Sequence, residues 1–371
     1  MPQPLPERPA IAGVVVGESP LRVWSLASDE RLRRQFGRAG ATAVVQSARH
    51  VVLLRADWVY DDPLVRGLVR QQSPCGMWTD DGQCVALVVP PSRLEEARAA
   101  LAAGSAPADL PRLPPAAVAG AYNDKLRKRE PPFLLPLTAA QLPAIEARVF
   151  AGSYKGVTDF VTLSWPRAVS AVTRLCAAAR ITPNMVTCVS LVLTVLATWL
   201  FWHGHYGTGL LAAWLMAFLD SVDGKLARVT LTYTKFGDVF DHGIDLIHPP
   251  FWWWAWIVGL PAAGFHLGHA SLALWVIVIG YVLQRLEEGL FIKLFGMDMH
   301  VWQRFDSRFR LVTARRNPNL AILTVAVLFS RPDLGIAVVA WWVAICLVVH
   351  AVRIVQAAIA RRRGPLTSWL A

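Results

Sequence analysis

From about residue 168 to the C-terminus the chain reads as long apolar runs broken by short polar segments. Six of these runs stand out, at roughly 185–203, 207–226, 238–260, 270–292, 317–330 and 334–357. All but the fifth approach the roughly 20 residues a helix needs to cross a bilayer. Arg331, Pro332 and Asp333 predict the turn between the last two. Just upstream, Pro166–Arg180 places apolar residues at helical spacing with Arg167, Arg174 and Arg180 interleaved. That pattern predicts an amphipathic helix lying at a membrane surface.

The first third follows a different rhythm. Ile11–Val16 is a short apolar run ending at Gly17, and Ala43–Val45, His50–Leu54 and Cys84–Val89 read as further strands. Glu30–Ala39 and Leu94–Ala103 read as helices. Strands alternating with helices predict a soluble α/β domain over residues 1–120, its parallel or mixed sheet covered on both faces. The Pro- and Ala-rich stretch 104–118 reads as a linker, and residues 121–165 as a linker and juxtamembrane segment before a membrane domain at 166–363. The basic run Lys125–Arg129 suits either anionic headgroups or a solvated connector. The expected fold is therefore an α-helical membrane domain of six transmembrane helices with an N-terminal amphipathic helix, preceded by a soluble α/β domain.

Composition agrees. Hydrophobic residues make up 54% of the chain and charged residues 17%, too apolar for an ordinary soluble protein. The formal charge of +11 carries no nucleic-acid motif with it, so no nucleic-acid partner is expected. The basic residues flank the apolar runs instead. The segments at 203–207 and 259–269 carry no Lys or Arg. Arg180, then Lys225, Arg228 and Lys235, then Lys293 to Arg316, then Arg361–Arg363 fall on the opposite side. The positive-inside rule puts both termini in the cytoplasm, and no secretory leader is visible. The expectation is a multi-pass protein of a bacterial inner membrane. Five scattered cysteines without CxxC spacing predict neither disulfides nor a zinc site.

The chemistry concentrates between residues 220 and 245. Asp220 and Asp223 are three apart, and Asp241 and Asp245 are four apart, so each pair shares a helix face. Both pairs lie at the ends of neighbouring apolar runs joined by a short loop. An Asp at the centre of a spanning helix costs about 2.5–3.5 kcal/mol. Four of them together call for a cation, and oxygen-only ligands favour Mg²⁺, with Mn²⁺ and Ca²⁺ as alternatives. His242 and His248 lie nearby but read better as satisfied side chains than as ligands. Gly224, Ala227 and Gly237 remove bulk where helices or a nucleotide approach closely. Thr182 and Pro183 read as the N-cap and first residue of the first span.

The full pattern, D-x-x-D-G-x-x-A-R-x8-G-x-x-x-D-x-x-x-D, resembles the defining motif of the CDP-alcohol phosphotransferase (phosphatidyltransferase) family, with every fixed position met. The resemblance extends over roughly residues 165–360. It implies release of CMP as a phosphoalcohol group passes from a CDP-alcohol, such as CDP-diacylglycerol, to an acceptor alcohol in phospholipid biosynthesis. It implies a metal held by Asp220, Asp223 and Asp241 with Asp245 close by, and Asp245 as the general base. Gly224, Ala227, Arg228 and Gly237, with Asp220 and Asp223, would meet the CDP donor. Pro183, Asn184 and Thr187 match the family's P-N-x-x-T segment beside the nucleotide. Membrane lipids are implied surroundings, and a homodimer is the family's habit.

Lys155–Asp159 and Arg315–Asn319 are similar to segments of members that handle inositol phosphates, which makes Arg315, Arg316 and Lys155 candidates for a sugar-phosphate acceptor. Glycerol 3-phosphate, serine, choline and free inositol are the alternative acceptors. The N-terminal domain resembles a shortened cytidylyltransferase, with Arg55-Ala56-Asp57 at a strand end. Its glycines at 13 and 17 are poorly spaced to cradle a triphosphate, and Glu18 would repel one. A degenerate scaffold or regulatory domain is expected. Intramembrane aspartates also mark cation-coupled transporters, but such proteins usually show internal repeats, and none is evident here. A catalytically dead membrane anchor is the third reading, and the intact aspartate set argues against it.

Overall fold

The structure is a computed structural model that describes residues 11–123 and 126–371. Two units emerge: residues 1–154 with 228–232, and residues 155–227 with 233–371.

The first unit is built on a five-stranded mixed sheet. Its strands are β1 (Ile11–Val16), β2 (His50–Arg55), β3 (Cys75–Trp78), β4 (Cys84–Val89) and β5 (Arg112–Leu113), in the order β1-β2-β4-β3-β5. β1 runs parallel to β2, with Ile11 opposite His50 and Val16 opposite Arg55. A parallel pair needs a crossover, and α1 (Ser28–Ala39) lies in that connection. Side chains alternate across a strand. Val52 and Leu54 therefore join Leu32 and Phe36 of α1 and Leu64, Val65 and Leu68 of α2 (Asp62–Val69) on one face. Val51 and Leu53 join Ala97 and Leu101 of α3 (Leu94–Ala102) on the other. The sheet is thus covered on both faces, as its continuous apolar runs required. Gly13 is where α1 comes closest: a Cβ there would lie 2.4 Å from the Phe36 ring.

Three features differ from the sequence reading. Ala43–Val45 is not a strand; the neighbouring Thr42 makes one isolated bridge to Ala12 and the chain turns away. The stretch 104–118 contributes β5 and the short helix Pro115–Val118, whose buried Val118 packs in the α2-side core. Beyond the expected boundary at residue 120, Leu134–Pro136 pairs with Trp58–Tyr60, and α4 (Leu142–Gly152) caps the unit through Glu146 and Trp24. Lys125 lies outside the described residues. Lys128 and Arg129 form a short strand with Tyr122–Asn123, and Lys128 is held by Glu130 at 2.6 Å.

The second unit is helical. It begins with α5 (Pro166–Ala178), matching the expected amphipathic helix. α6 (Pro183–Trp202), α7 (Tyr206–Val229), α8 (Lys235–Gly259), α9 (Ala270–Phe295), α10 (Arg316–Leu328) and α11 (Pro332–Arg361) follow at the six expected runs. Among the described residues α6, α9 and α11 are long and apolar enough to cross a membrane. α10, at 13 residues, extends only about 20 Å. The interior is aromatic: Trp252, Trp253 and Trp256 are fully buried with Phe201 and Tyr206. Buried indoles need acceptors, and Trp252 Nε1 donates to the Thr194 carbonyl and Trp256 Nε1 to the Pro332 carbonyl, each at 3.1 Å. Trp199, Trp275 and Trp341 face outward, so tryptophan serves both core and surface.

Candidate active site

α7 delivers Asp220 and Asp223, and α8 delivers Asp241 and Asp245. The local sequence sets both ends. Thr182 caps α6, its hydroxyl accepting from Met185 N at 3.3 Å with Pro183 at the first helical position. Thr234 caps α8 by accepting from Gly237 N at 3.0 Å. Gly237 has a second reason to lack a side chain, since a Cβ there would sit 2.7 Å from Asn184 Oδ1. Asn184 of α6 and Gly237 of α8 are thereby brought together.

One carboxylate oxygen from each of Asp220, Asp223 and Asp241 lies within 4.8 Å of the others. Asp223 is 3% exposed. Its Oδ2 accepts from Thr187 Oγ1 at 2.7 Å, while its Oδ1 is buried with no hydrogen-bond partner among the described residues. A buried acceptor in that state costs about 1–3 kcal/mol, which a bound cation would remove. With oxygen donors only and several negative charges, the set fits a hard divalent ion.

Asp245 reaches this group through Arg316 at the start of α10. One Arg316 nitrogen pairs with Asp245 Oδ1, and Nη2 lies 2.6 Å from Asp220 Oδ2. Arg316 Nε in turn donates to Asn317 Oδ1 at 3.1 Å, and Asn317 Nδ2 donates to both oxygens of Asp159 at 3.2 Å. A relay Asp159–Asn317–Arg316 thus ends on the aspartates. It joins two segments, Lys155–Asp159 and Arg315–Asn319, that are far apart in sequence. The neighbouring Arg315 takes another direction, pairing with Glu288 of α9 at 2.5 Å. Lys155 is exposed. Ala227 is buried near the end of α7, and Arg228 groups with the first unit.

The backbone of α8 beside Asp245 is unusual. Pro249 and Pro250 sit inside the helix and lack N–H groups, so the carbonyls four residues earlier, Asp245 and Leu246, lose their helical donors. Tyr281 of α9 supplies one: its hydroxyl donates to the Leu246 carbonyl at 2.9 Å and approaches that of Asp245 at 3.5 Å. Sequence reasoning missed Tyr281, although the Pro-Pro pair announced two carbonyls in want of a donor. His248 is only half satisfied: Nδ1 lies 2.6 Å from the Ile244 carbonyl and the ring packs against Trp252, while the buried Nε2 has no hydrogen-bond partner among the described residues.

The second unit is thus a helical unit in which three carboxylates from adjacent helices converge in an arrangement that could hold a metal ion. Residues 180–293 match the family described as CDP-alcohol phosphatidyltransferase. An archaetidylinositol phosphate synthase from Pyrococcus horikoshii is 28% identical over 167 residues, covering 43% of this chain and 76% of that protein. A cholinephosphotransferase 1 from Xenopus laevis is 32% identical over 126 residues, covering 30% of each chain. Residues 180–293, which apart from 228–232 lie in the second unit, therefore match a CDP-alcohol phosphatidyltransferase domain.

Proposed function

We propose that this enzyme transfers a phosphoalcohol group from a CDP-activated lipid to a phosphorylated polyol, with inositol phosphate the favoured acceptor and CMP the leaving group. The observation carrying the proposal is the relay Asp159–Asn317–Arg316, which puts a guanidinium against the aspartates from the acceptor-like segments. The synthase from Pyrococcus horikoshii, by its name, makes an inositol phosphate lipid.

Asp220, Asp223 and Asp241 would hold a divalent cation, Mg²⁺ or Mn²⁺, with Asp245 close by; when bound, it polarises the pyrophosphate and stabilises the leaving charge. Thr187 orients Asp223. Asp245 accepts the proton from the acceptor hydroxyl. The resulting oxygen forms a bond to the alcohol-side phosphorus as the bond to the bridging oxygen breaks and CMP departs. Arg316 binds the acceptor phosphate, while Arg315 stays on Glu288. Asn184, Gly224, Ala227 and Gly237 border the donor. Six spans, with both termini in the cytoplasm, hold this site at the inner face of the bilayer.

The test is CMP release by purified protein with Mg²⁺, CDP-diacylglycerol and a panel of inositol 1-phosphate, glycerol 3-phosphate, serine, choline and inositol. Turnover dependent on inositol 1-phosphate supports the reading; turnover with another acceptor alone refutes the acceptor assignment. Asp245→Asn is expected to keep donor binding and lose turnover, and normal turnover would remove Asp245 as the base.

A further inference from the structure

A second group of metal-capable side chains lies apart from the four aspartates. Glu288 comes from α9, His350 from α11, and His300 from the 3₁₀ turn Met299–Val301 between α9 and α10. One ligand atom from each lies within 4.8 Å of the others. We propose that Glu288, His300 and His350 form a second metal site, one that takes a zinc-class divalent ion.

The strongest sign is His350. It is 1% exposed, and neither ring nitrogen has a hydrogen-bond partner among the described residues. A buried imidazole needs its nitrogens satisfied, because an unpaired polar atom shut away from water is destabilising. A coordinate bond meets that need. Glu287 stands 3.6 Å from His350 Nδ1, too far for a good hydrogen bond but placed as the outer carboxylate that usually accompanies a metal-bound histidine. His300, 2% exposed, is fixed from both sides. Its N–H donates to Asp298 Oδ1 at 2.8 Å, and its carbonyl accepts from Ser307 Oγ at 2.6 Å. Its Nε2 faces Glu288 Oε1 at 3.2 Å. The first two contacts fix the His300 backbone, and Glu288 orients its ring.

The donor set decides the ion. Two imidazoles and one carboxylate, with a fourth position left for water, is a common zinc arrangement. Imidazole nitrogen suits zinc and its transition-metal neighbours and does not suit Mg²⁺ or Ca²⁺. Glu288 already pairs with Arg315 and, at 3.1 Å, with Arg285, so the two imidazoles would be the main donors and Glu288 would share its charge between the ion and the guanidiniums. The site would tie α9, the 296–315 connection and α11 together. It would also fix Arg315, and through the chain the adjacent Arg316 that meets Asp220 and Asp245.

The test uses the full chain in detergent, stripped with a chelator, re-equilibrated with zinc sulfate and passed through gel filtration before zinc is counted by mass spectrometry. One zinc per chain is expected in the wild type and in Asp223→Asn, and none in His350→Asn or His300→Asn. Failure of the wild type to retain zinc overturns the proposal. So does equal retention by the histidine variants, or loss of zinc from Asp223→Asn, which would place the ion on the aspartates. If the histidine variants do not fold, cobalt loaded into the wild type decides. The intense visible bands of a four-coordinate, nitrogen-ligated ion support the site, and the weak bands of a six-coordinate ion refute it. None of these readouts depends on phosphotransferase activity.

Discussion

Replacing Arg316 by Gln should tighten the enzyme's hold on its divalent cation. Arg316 is 11% exposed, lies 2.6 Å from Asp220 Oδ2 and pairs with Asp245. A cation bound by Asp220, Asp223 and Asp241 would sit on the order of 5 Å from the guanidinium. At an effective dielectric of about 20, a double and a single positive charge at that distance repel by roughly 7 kcal/mol. The guanidinium can swing aside, and the four carboxylates offset much of the repulsion, so roughly 1.5–3 kcal/mol should survive, or about 10- to 100-fold in affinity. Gln keeps a donor for the carboxylates and removes the charge. The assay is CMP release against Mg²⁺ concentration at saturating substrates. The half-saturating Mg²⁺ is expected to fall at least about tenfold in Arg316→Gln and to stay near wild type in Arg316→Lys, which keeps the charge. Turnover should fall in Arg316→Gln because the acceptor phosphate loses a cationic partner. An unchanged or raised Mg²⁺ requirement in the Gln variant would show that Arg316 does not share the aspartates with the ion.

Tyr281→Phe should leave the Leu246 carbonyl without a donor and cost about 1–2 kcal/mol of stability; thermal unfolding reads the loss, and wild-type stability would mean that the Leu246 carbonyl finds another partner. In the first unit, burial and the neighbouring Asp62 push the Asp61 carboxyl up to about 6 from an ordinary 3.8. The folded chain then holds a proton that the unfolded chain has lost between about pH 4 and pH 6. Stability is therefore lost as pH rises through that window. Asp61 also caps α2, accepting from Asp62 N at 2.9 Å, a task Asn performs as well. Asp61→Asn is expected to stabilise the protein by roughly 1–3 kcal/mol at pH 7.5 and by much less at pH 4.5; unfolding followed across that range should lose about one proton of pH dependence, and an unaltered slope would refute the assignment.

Local spacing was enough to announce much of this protein. Helices stand at all six apolar runs, because helical length and apolar content are properties of contiguous sequence. Asp220 and Asp223 share a face because a helix turns every 3.6 residues. Thr182 and Pro183 start α6 because an N-cap and a first-turn proline act on neighbouring backbone. The same local logic failed where pairing partners were distant. Ala43–Val45 has strand composition but finds no full neighbour, and Leu134–Pro136 and Leu142–Gly152, inside the segment 121–165 that reads as a linker, become part of the first unit because Trp58–Tyr60 offers an edge to Leu134–Pro136.

What tertiary structure alone decided is which distant groups meet. Arg315 and Arg316 are adjacent in sequence, yet one goes to Glu288 and the other to Asp220 and Asp245, because the start of α10 faces α9 on one side and α7 and α8 on the other. Asn317 meets Asp159 across 158 positions. Glu288, His300 and His350 carry no spacing signature, so cysteine and histidine motifs gave no hint of a zinc-type site. A helix fixes neighbours three and four residues apart through its own hydrogen bonds. Contacts between helices depend on how whole side-chain surfaces fit, and that information is spread over the entire chain.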